Sequence, residues 1–458
     1  MTAGTWPLTA LDGSVLRPLW LDNPARPEPR PGLPGDLETD LLVVGGGFTG
    51  LWTALRAVER EPGRQVVLVE ADRIGEHATG RNGGFCEASL THGEANGRAR
   101  WATEYDTLHA MGLRNLAAIE QTVARYGIDC GLLRGGALQV ATRPHEVAAL
   151  EPDRPGFLDA TAVRRVVDSP TYLAGRLSRD ECAVLDPARL AWGLAEAAER
   201  QGVRIAEHTR LTSLRRHRGH VEATTSTGTV RARNVVLATN AFPGPLRRTR
   251  WSVVPVYDYV LATEPLTDDQ LAALRWDPAI GVADSGNRFH YYRITPDRRI
   301  LWGGYDAVYH YGRSIRPAHD DRRTTFATLA RNFGETFPQL EGIRFTHRWS
   351  GVIDTSSRFC AFFGRAHGGR TAYALGVTGL GVGASRFAAE VVLDLLSGRE
   401  TERTRLEMVR RRPVPFPPEP LAWLAIRATT WSLAREDRTG RRNPWLRLLD
   451  RWGLGFDS

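Results

Sequence analysis

The chain contains no lysine, so every one of its 60 basic residues is arginine. Without lysine there can be no Schiff base to pyridoxal phosphate and no P-loop lysine on a nucleotide phosphate. The arginines are spread along the chain and often alternate with acids, which argues against a nucleic-acid surface despite a net charge of +8. We therefore expect neither pyridoxal phosphate chemistry nor nucleic-acid binding.

Cysteine is scarce, and the four cysteines lie far apart without a CxxC pair: Cys86, Cys130, Cys182 and Cys360. This spacing disfavours a disulfide framework, a zinc finger and an iron–sulfur cluster, and no metal is expected. The chain also lacks any run of 18 apolar residues, and no basic stretch leads into an apolar one near its start. We expect reduced thiols in a cytoplasmic protein.

A βαβ unit follows a proline-rich stretch that predicts an irregular surface arm over residues 1–36. Residues 40–44 and 65–70 form short apolar runs typical of strands, and residues 48–61 between them have helical spacing. Further helices are expected between about residues 95 and 126 and over 187–201, where Asp186 is the expected N-cap.

The turn of the βαβ unit reads Gly-Gly-Gly-Phe-Thr-Gly over residues 45–50 and fits GxGxxG. Gly45 allows the tight turn, Gly47 lets the backbone approach a pyrophosphate, and Gly50 lets helix and strand pack closely. The helix N-terminus then faces the phosphates. Glu70, about 20 residues further on, ends the next strand, where its carboxylate can bind a ribose. This context predicts a dinucleotide site.

Three features favour FAD over NAD as the dinucleotide. The βαβ unit begins the catalytic region, whereas many NAD domains follow a substrate domain. A second glycine-rich loop, ADRIGEHATGRNGGF, follows Glu70 directly, where such loops wrap the ribityl and flavin part. Near the C-terminus, YALGVTGLGVGASRFAAE enters a helix and can aim backbone N–H groups at a reduced flavin.

An ordered set of stretches between about residues 40 and 398 resembles the D-amino-acid oxidase superfamily, which includes glycine oxidase, sarcosine oxidase and gamma-glutamylputrescine oxidoreductase. The stretches are DLLVVGGGFTG, GRNGGF, DPARLAWGLAEAAERQGVRI, HTRLTSL, VVLATNAF, TEPL, YYRITPDRRILWGG and GVTGLGVGASRFAAE. The resemblance is greatest to the gamma-glutamylputrescine oxidoreductase and glycine oxidase branch. It implies a mixed α/β fold, with a glutathione-reductase-type FAD-binding Rossmann domain and a discontinuous substrate domain built on an antiparallel sheet.

The resemblance implies that each domain is assembled from separate segments. The expected FAD-binding segments are 37–110, 183–250 and 346–400, and the expected substrate segments are 111–182 and 251–345. The N-terminal arm covers 1–36, and a tail rich in arginine, tryptophan and proline covers 401–458.

Residues at the matching positions are expected to bind FAD. They are Gly45, Gly47, Phe48, Thr49, Gly50, Glu70, Ala71, Arg81, Asn82, Gly83, Gly84, Phe85, Leu211, Ala238, Thr239, Asn240, Trp349, Gly351, Gly379, Leu380, Gly381 and Val382. We expect non-covalent binding. His77 offers a covalent alternative, because it precedes a segment similar to the attachment site of dimethylglycine dehydrogenases. The cysteine that carries FAD in sarcosine oxidases is not matched, since Ser350 and Gly351 stand near its place.

The expected substrate is a small amine or amino acid. Glycine and D-amino-acid oxidases carry a carboxylate-binding arginine in the segment WSGVID, where Ile353 stands here. An amino acid would need another arginine, and Arg293 is the leading candidate. The residues expected beside the flavin and substrate are Tyr257, Tyr259, His290, Tyr292 and Arg293.

The implied reaction is hydride transfer from the amine to flavin N5, which gives an imine that hydrolyses to a carbonyl. Two alternatives remain: an FAD-dependent dehydrogenase of a 2-hydroxy acid or other CH–OH substrate, and a non-catalytic flavin-binding subunit. Reoxidation by O2 or by another electron carrier is also open. The lysine that helps O2 react in sarcosine oxidases is absent, and His310 lies in about the right segment to replace it. A homo-oligomer is possible.

The tail predicts an extended proline strap, followed by two short amphipathic helices carrying Trp423, Trp431, Trp445 and Trp452. Such helices can lie on a membrane surface. We favour docking on the protein's own body or at a dimer interface.

Overall fold

A computed structural model describes residues 6–454 and contains, within them, two large β-sheets and a two-stranded one. The strands are β1 (Val15–Leu16), β2 (Leu37–Val44), β3 (Val66–Val69), β4 (Phe85–Glu87), β5 (Ala137–Ala141), β6 (Phe157–Asp159), β7 (Ala174–Ser178), β8 (Cys182–Val184), β9 (Arg204–Ala206), β10 (Leu211–Arg216), β11 (Val221–Thr225), β12 (Thr229–Leu237), β13 (Val253–Thr263), β14 (Gly281–Asp284), β15 (His290–Ile294), β16 (Ile300–Gly304), β17 (Val308–Tyr309), β18 (Phe345–Ser356), β19 (Phe362–Ala366) and β20 (Thr371–Leu375).

The helices pack on the faces of these sheets and along the C-terminal tail. They are α1 (Trp6–Thr9), α2 (Phe48–Arg60), α3 (Glu94–Trp101), α4 (Tyr105–Tyr126), α5 (Pro144–Ala149), α6 (Ala160–Val166), α7 (Pro187–Arg200), α8 (Asp268–Leu274), α9 (Arg323–Thr336), α10 (Gly381–Ser397), α11 (Glu402–Arg405), α12 (Glu407–Arg410), α13 (Leu421–Thr439) and α14 (Pro444–Arg451). No helix in the described part of the chain is long and apolar enough to cross a membrane.

The first sheet, here called the cofactor sheet, has β2 at its centre. β2 pairs in parallel with β3 and β12, β9 continues the sheet beyond β3, and β20 lies parallel to the second half of β12. β10 and β11 extend the first half of β12, and β19 flanks β20. β3 is buried along its whole length because its side chains pack alternately into two cores: Val66 and Leu68 pack with α2, and Val67 and Val69 pack on the opposite face of the sheet. Burial on both faces explains its continuous apolar run.

The second sheet, here called the large sheet, runs in the order β1-β18-β13-β16-β15-β14-β5-β7-β6, with β17 also paired to β13. Most of its pairings are antiparallel, as expected from the resemblance. All of β18 pairs within this sheet, so the expected boundary at residue 346 falls inside one of its strands. The division into cofactor and substrate domains remains a prediction.

The elements predicted from sequence agree closely with those observed around the βαβ unit. The strand expected over 40–44 begins earlier, at Leu37, and α2 and α7 match the two expected helices. Asp186 caps α7 by accepting hydrogen bonds from Ala188 N and Arg189 N at 2.9 and 3.0 Å. The helical pattern over 95–126 is interrupted at residues 102–104, which separate α3 from α4.

The N-terminal arm is attached to the rest of the fold by a few apolar side chains. Trp20, Leu21 and Leu33 are buried in it. The Trp20 indole donates a hydrogen bond to the Asn82 carbonyl at 2.7 Å, and the Leu21 side chain lies against Gly80. Most described residues of the arm are exposed or half-buried, but these apolar side chains anchor it behind the second glycine-rich loop.

Candidate cofactor and substrate site

One cleft of about 1000 Å³ lies between the cofactor sheet and the large sheet. The glycine turn after β2, the end of β3, the loop of residues 71–83 and the turn before α10 form one side. The ends of several large-sheet strands form the other side. In a parallel sheet covered by helices, a ligand is expected at this edge, beyond the carboxyl ends of the strands.

The glycine turn leaves no room for side chains. Gly45 has φ +114°, and a Cβ there would lie 2.3 Å from the Ala238 carbonyl oxygen. A Cβ at Gly50 would lie 1.9 Å from the Gly45 carbonyl oxygen. Gly47 is the N-cap of α2, so the first N–H groups of this helix point toward the cleft. The turn is therefore built for close approach of an anion to the backbone.

Glu70 fixes the shape of this turn from the end of β3. One carboxylate oxygen accepts a hydrogen bond from Gly46 N at 2.6 Å, and the other accepts one from Asp72 N at 2.8 Å. Its side chain lines the cleft although the residue is only 9% exposed. The carboxylate is thus preorganised where a ribose hydroxyl can share it.

The second glycine-rich loop is held by hydrogen bonds within the loop and by a hydrogen bond from β18. The Asn82 side chain donates to the carbonyls of Ala78 and Thr79 and accepts from Gly84 N at 2.8 Å. Trp349, buried in β18, donates to the Arg81 carbonyl at 2.9 Å. These bonds make the loop a rigid wall of the cleft.

The turn before α10 is held by Asp354, a residue that the sequence analysis did not select. Its carboxylate accepts hydrogen bonds from Gly376 N at 2.6 Å and Val377 N at 3.1 Å. Burial raises the pKa of Asp354 to about 6, although the backbone donors act in the opposite direction. The residue lies in the WSGVID segment, but only the folded chain shows that this segment faces residues 376–378.

Nearly all of the residues expected to bind the cofactor line this one cleft. The exceptions are Gly50, Gly84 and Trp349, which act from behind its surface. Gly50 lies against Gly45, and Trp349 supports Arg81. The structure brings the remaining predicted positions together from the ranges 45–85, 211–240 and 351–382.

The residues expected around the substrate are placed differently, because only Tyr257 among them lines the cleft. His290 and Tyr292 point to the other face of the large sheet, where both bond to Asp284. The Tyr259 hydroxyl donates to the His319 carbonyl at 2.8 Å. All three aromatic side chains are buried and do not line the cleft: Tyr259 and His290 contact α9, and Tyr292 contacts Phe337, which follows α9.

Arg293 is a structural residue in this fold and does not offer a carboxylate clamp. It is 1% exposed and donates to the carbonyls of Leu185 at 2.6 Å and Gly84 at 3.4 Å. Burial lowers its pKa to about 10. Its guanidinium also lies 5.7 Å from the Trp20 ring centroid. Arg293 therefore holds the Gly84 end of the second loop.

Asp258 and Tyr291 occupy the sheet face that the sequence analysis assigned to their neighbours. They lie on β13 and β15, line the cleft, and are joined by a short hydrogen bond from the tyrosine hydroxyl to Asp258 Oδ2. Asp258 Oδ1 accepts from Tyr259 N at 2.9 Å. Burial raises the pKa of Asp258 to about 6. Across the pair of strands, Asp258 is in register with Gly351.

His310 lies outside the cleft lining, stacked on His319 with ring centroids 3.6 Å apart. Burial and the neighbouring His319 and Arg322 lower its pKa to about 4. The imidazole is therefore neutral at pH 7 and cannot supply a positive charge in place of a lysine.

This combination of a glycine-lined βαβ turn, a ribose-type carboxylate and a second sheet closing the cleft defines a dinucleotide-dependent oxidoreductase. More specifically, the chain belongs to the FAD-dependent oxidoreductase (DAO) family, whose family model matches residues 40–395. The resemblance and the mixed α/β fold expected from the sequence are confirmed.

Among curated relatives, gamma-glutamylputrescine oxidoreductase of Escherichia coli (strain K12) is 32% identical over 372 residues, covering 78% of this chain and 84% of the relative. Sarcosine oxidase subunit beta of Rhodobacter capsulatus is 24% identical, covering 72% and 76%. Glycine oxidase from Geobacillus kaustophilus has a similar fold, with a TM-score of 0.66 at 20% identity, covering 82% of this chain and 99% of that structure.

The residues of the cleft fit an FAD. The backbone N–H groups at the start of α2 can receive the pyrophosphate, because Gly45 and Gly47 leave the turn bare. Glu70 can bind the adenosine ribose. The second loop and the turn before α10 border the part of the cleft that faces the large sheet, where Asp258 and Tyr291 lie.

Replacing Glu70 by glutamine should weaken FAD binding by about tenfold to 100-fold, because one oxygen of a charged acceptor becomes a donor. The dissociation constant can be measured by titrating the apoprotein with FAD and following flavin fluorescence. Glu61 → Gln is the matched control, since Glu61 is exposed at the end of α2. Equal FAD affinity in the two variants would contradict the assigned role of Glu70.

Proposed function

We propose that this enzyme oxidises the C–N bond of an amine. The observation that supports this most directly is the Asp258–Tyr291 pair, a carboxylate held in the cleft on the side opposite the cofactor turn. A carboxylate attracts an ammonium group and repels a substrate carboxylate. Ile353 in place of the usual arginine points the same way.

In this proposal Asp258 binds the substrate ammonium, and Tyr291 orients the carboxylate through its hydroxyl hydrogen bond. Burial makes Asp258 more basic than an exposed carboxylate, so its Oδ1 can accept a proton from the ammonium as the neutral amine forms. A bound FAD would supply the acceptor for the hydride that leaves the α-carbon. Water then hydrolyses the imine to a carbonyl and a released amine or ammonia.

The names of two relatives support an amine or amino acid as substrate. One relative is described as acting on gamma-glutamylputrescine and another on sarcosine. The large sheet of this chain supports the amine over the amino acid, because Arg293, its leading candidate for a clamp, is engaged with backbone carbonyls away from the cleft.

The test is anaerobic titration of the purified flavoprotein with candidate substrates while its visible spectrum is recorded. Polyamine derivatives and simple alkylamines are expected to bleach the flavin, and glycine, D-alanine and sarcosine are expected to do so poorly. Fast reduction by a small D-amino acid would overturn the amine assignment. Fast reduction by a 2-hydroxy acid, with no amine active, would move the reaction to CH–OH chemistry.

Two finer features of the proposal can be measured on the same sample. We propose non-covalent FAD, because the His77 side chain is engaged with Asp72 at 2.6 Å. Acid precipitation should then leave a colourless pellet and a yellow supernatant. Admitting air to the reduced enzyme separates an oxidase, which reoxidises fast, from a dehydrogenase, which needs another acceptor.

A further inference from the structure

The C-terminal tail lies outside the family match, which ends at residue 395, yet it lines the same cleft. One side of α13 faces the cleft at helical spacing, and these residues are small or apolar: Ala422, Ala425, Ile426, Thr429, Thr430 and Leu433. With 19 residues, α13 is about 28 Å long. The helix therefore forms a long wall of the cleft.

Carboxylates near both ends of α13 fix this wall to the large sheet. At the first end, Glu419 accepts a short hydrogen bond from the Tyr309 hydroxyl and another from Gly312 N at 3.2 Å. At the second end, Asp437 accepts from Asn287 N at 2.8 Å and from Arg288 N at 3.0 Å. Asp437 is 6% exposed, so this anchor is buried.

The two anchors are attached close to Asp258 and Tyr291. Tyr309 pairs with Val256, two residues before Asp258 on β13. Asn287 and Arg288 lie in the turn that leads into β15, which carries Tyr291. The same strand ends therefore hold both the carboxylate and the wall, so α13 borders the reaction chamber.

The next helix, α14, is bonded to α13 and itself contributes Trp445 and Leu449 to the cleft lining. The Trp445 indole of α14 donates to Thr429 Oγ1 at 3.0 Å, and the Asn443 amide donates to Ser432 Oγ at 2.8 Å. Arg442 forms ion pairs with Glu436 at 3.0 Å and with Asp450 at 2.6 Å. These bonds tie α14 to α13, so the tail docks on the protein as one unit.

We propose that the tail is a specificity element, which selects amines whose carbon chain extends from the reacting nitrogen along the apolar side of α13. This inference rests on the proposed amine oxidation. Each substrate methylene group that is buried against the apolar side chains of this wall should increase the affinity by about threefold to fourfold. Ethylamine would leave this wall uncovered, whereas an alkylamine of six or eight carbons would cover it.

The test compares Ala425→Phe with Ala428→Phe. Both positions are alanines on α13, but Ala425 lines the cleft and Ala428 is exposed. Dissociation constants for n-alkylamines from ethylamine to octylamine are measured by the shift they cause in the flavin spectrum, and reduction rates are measured separately. Affinity should rise with chain length in the wild type and in Ala428→Phe. In Ala425→Phe it should stay flat, with ethylamine binding unchanged.

Identical chain-length dependence in all three proteins would overturn the role of the tail. If Ala425→Phe does not fold, Ile426→Ala tests the same wall by removing contact, and octylamine should then bind about tenfold less tightly. The proposed function fails separately: in that case no amine of any length reduces the wild-type flavin.

Discussion

Replacing Asp258 by asparagine is expected to lower kcat/KM for the reducing amine by about 30-fold to 5000-fold. The reason is that the substrate cation loses a charged, partly desolvated partner, a change that costs about 2–5 kcal/mol in buried pairs. The loss should appear in anaerobic flavin reduction as well as in turnover. FAD content should be unchanged, because Asp258 lies on the large sheet, opposite the glycine turn.

The pH dependence gives an independent check of the same assignment. The pKa of Asp258 is raised to about 6, so kcat/KM of the wild type should fall as the pH drops below about 6. The asparagine variant should lack this decrease. Tyr291→Phe is the control that keeps the carboxylate but removes the hydroxyl, and it should lose much less activity than Asp258→Asn. Equal losses would show that the pair acts only in packing.

The substitution Asp258→Asn should also make the protein more stable at neutral pH. The pKa of Asp258 is higher in the folded chain than its ordinary 3.8, so the ionised carboxylate opposes folding above pH 6. This cost disappears as the pH falls from about 6 toward 3.8. The Tm of Asp258→Asn should therefore exceed that of the wild type at pH 7.5 and approach it at pH 4. A lower Tm at pH 7.5 would mean that lost activity reflects a damaged fold.

Replacing Gly45 by alanine is expected to abolish FAD binding, with affinity reduced by about 100-fold or more. Two effects add: the residue has φ +114°, and its new Cβ would lie 2.3 Å from the Ala238 carbonyl oxygen. The turn between β2 and α2 would have to move, and β12 with it. The ratio of flavin to protein absorbance after purification measures the loss.

Gly63 provides the matched control for this substitution. It has φ +89°, but nothing lies within 4 Å of a Cβ built there. Gly63→Ala should cost some stability through backbone strain and keep its full FAD content. If Gly45→Ala also retained FAD, the turn would not be the pyrophosphate site.

The cofactor side of the cleft could be predicted from sequence because its determinants are local. A strand, a glycine turn, a helix and an acid at the next strand end occupy one continuous stretch, and each residue type follows from backbone geometry. The structure adds that Glu70 also accepts a hydrogen bond from Gly46 N, which is compatible with its predicted place beside the ribose. Trp349 and Gly84 were expected to bind the cofactor, but neither lines the cleft, and Trp349 acts from behind the loop.

The substrate side could not be predicted in the same way, because β13 and β15 are covered on both faces. When one face of a strand is exposed to solvent, polar and apolar residues alternate along it, and the alternation shows which side chains point into the core. The segments YDY and HYYRI carry polar and aromatic residues on both faces, so they give no such indication. Choosing the wrong face placed His290 and Tyr292 at the substrate and left out Tyr291. Arg293 shares a face with Tyr291, but the Gly84 loop covers it.

Helices α13 and α14 lie where the tail sequence predicts two helices, but α13, with 19 residues, is longer than expected, and α11 and α12 precede them. The place of the tail over the cleft could not be deduced, because Glu419 and Asp437 read as ordinary surface acids in the sequence. Their role as anchors of α13 depends on hydrogen bonds with Tyr309 and Asn287, which lie more than 100 residues earlier in the chain. Contacts at such a separation carry no local signal.

The discontinuous cofactor sheet imposes an order on synthesis at the ribosome. Strand β12, which pairs with β2, is made after about half of the chain, and β20 must wait until residue 375 has emerged. Until then the edge of β12 that pairs with β20 is incomplete, although strands of the large sheet have been made both before and after β12. No single continuous segment of the gene therefore encodes the whole cofactor sheet, and the sheet cannot be completed until most of the chain has been translated.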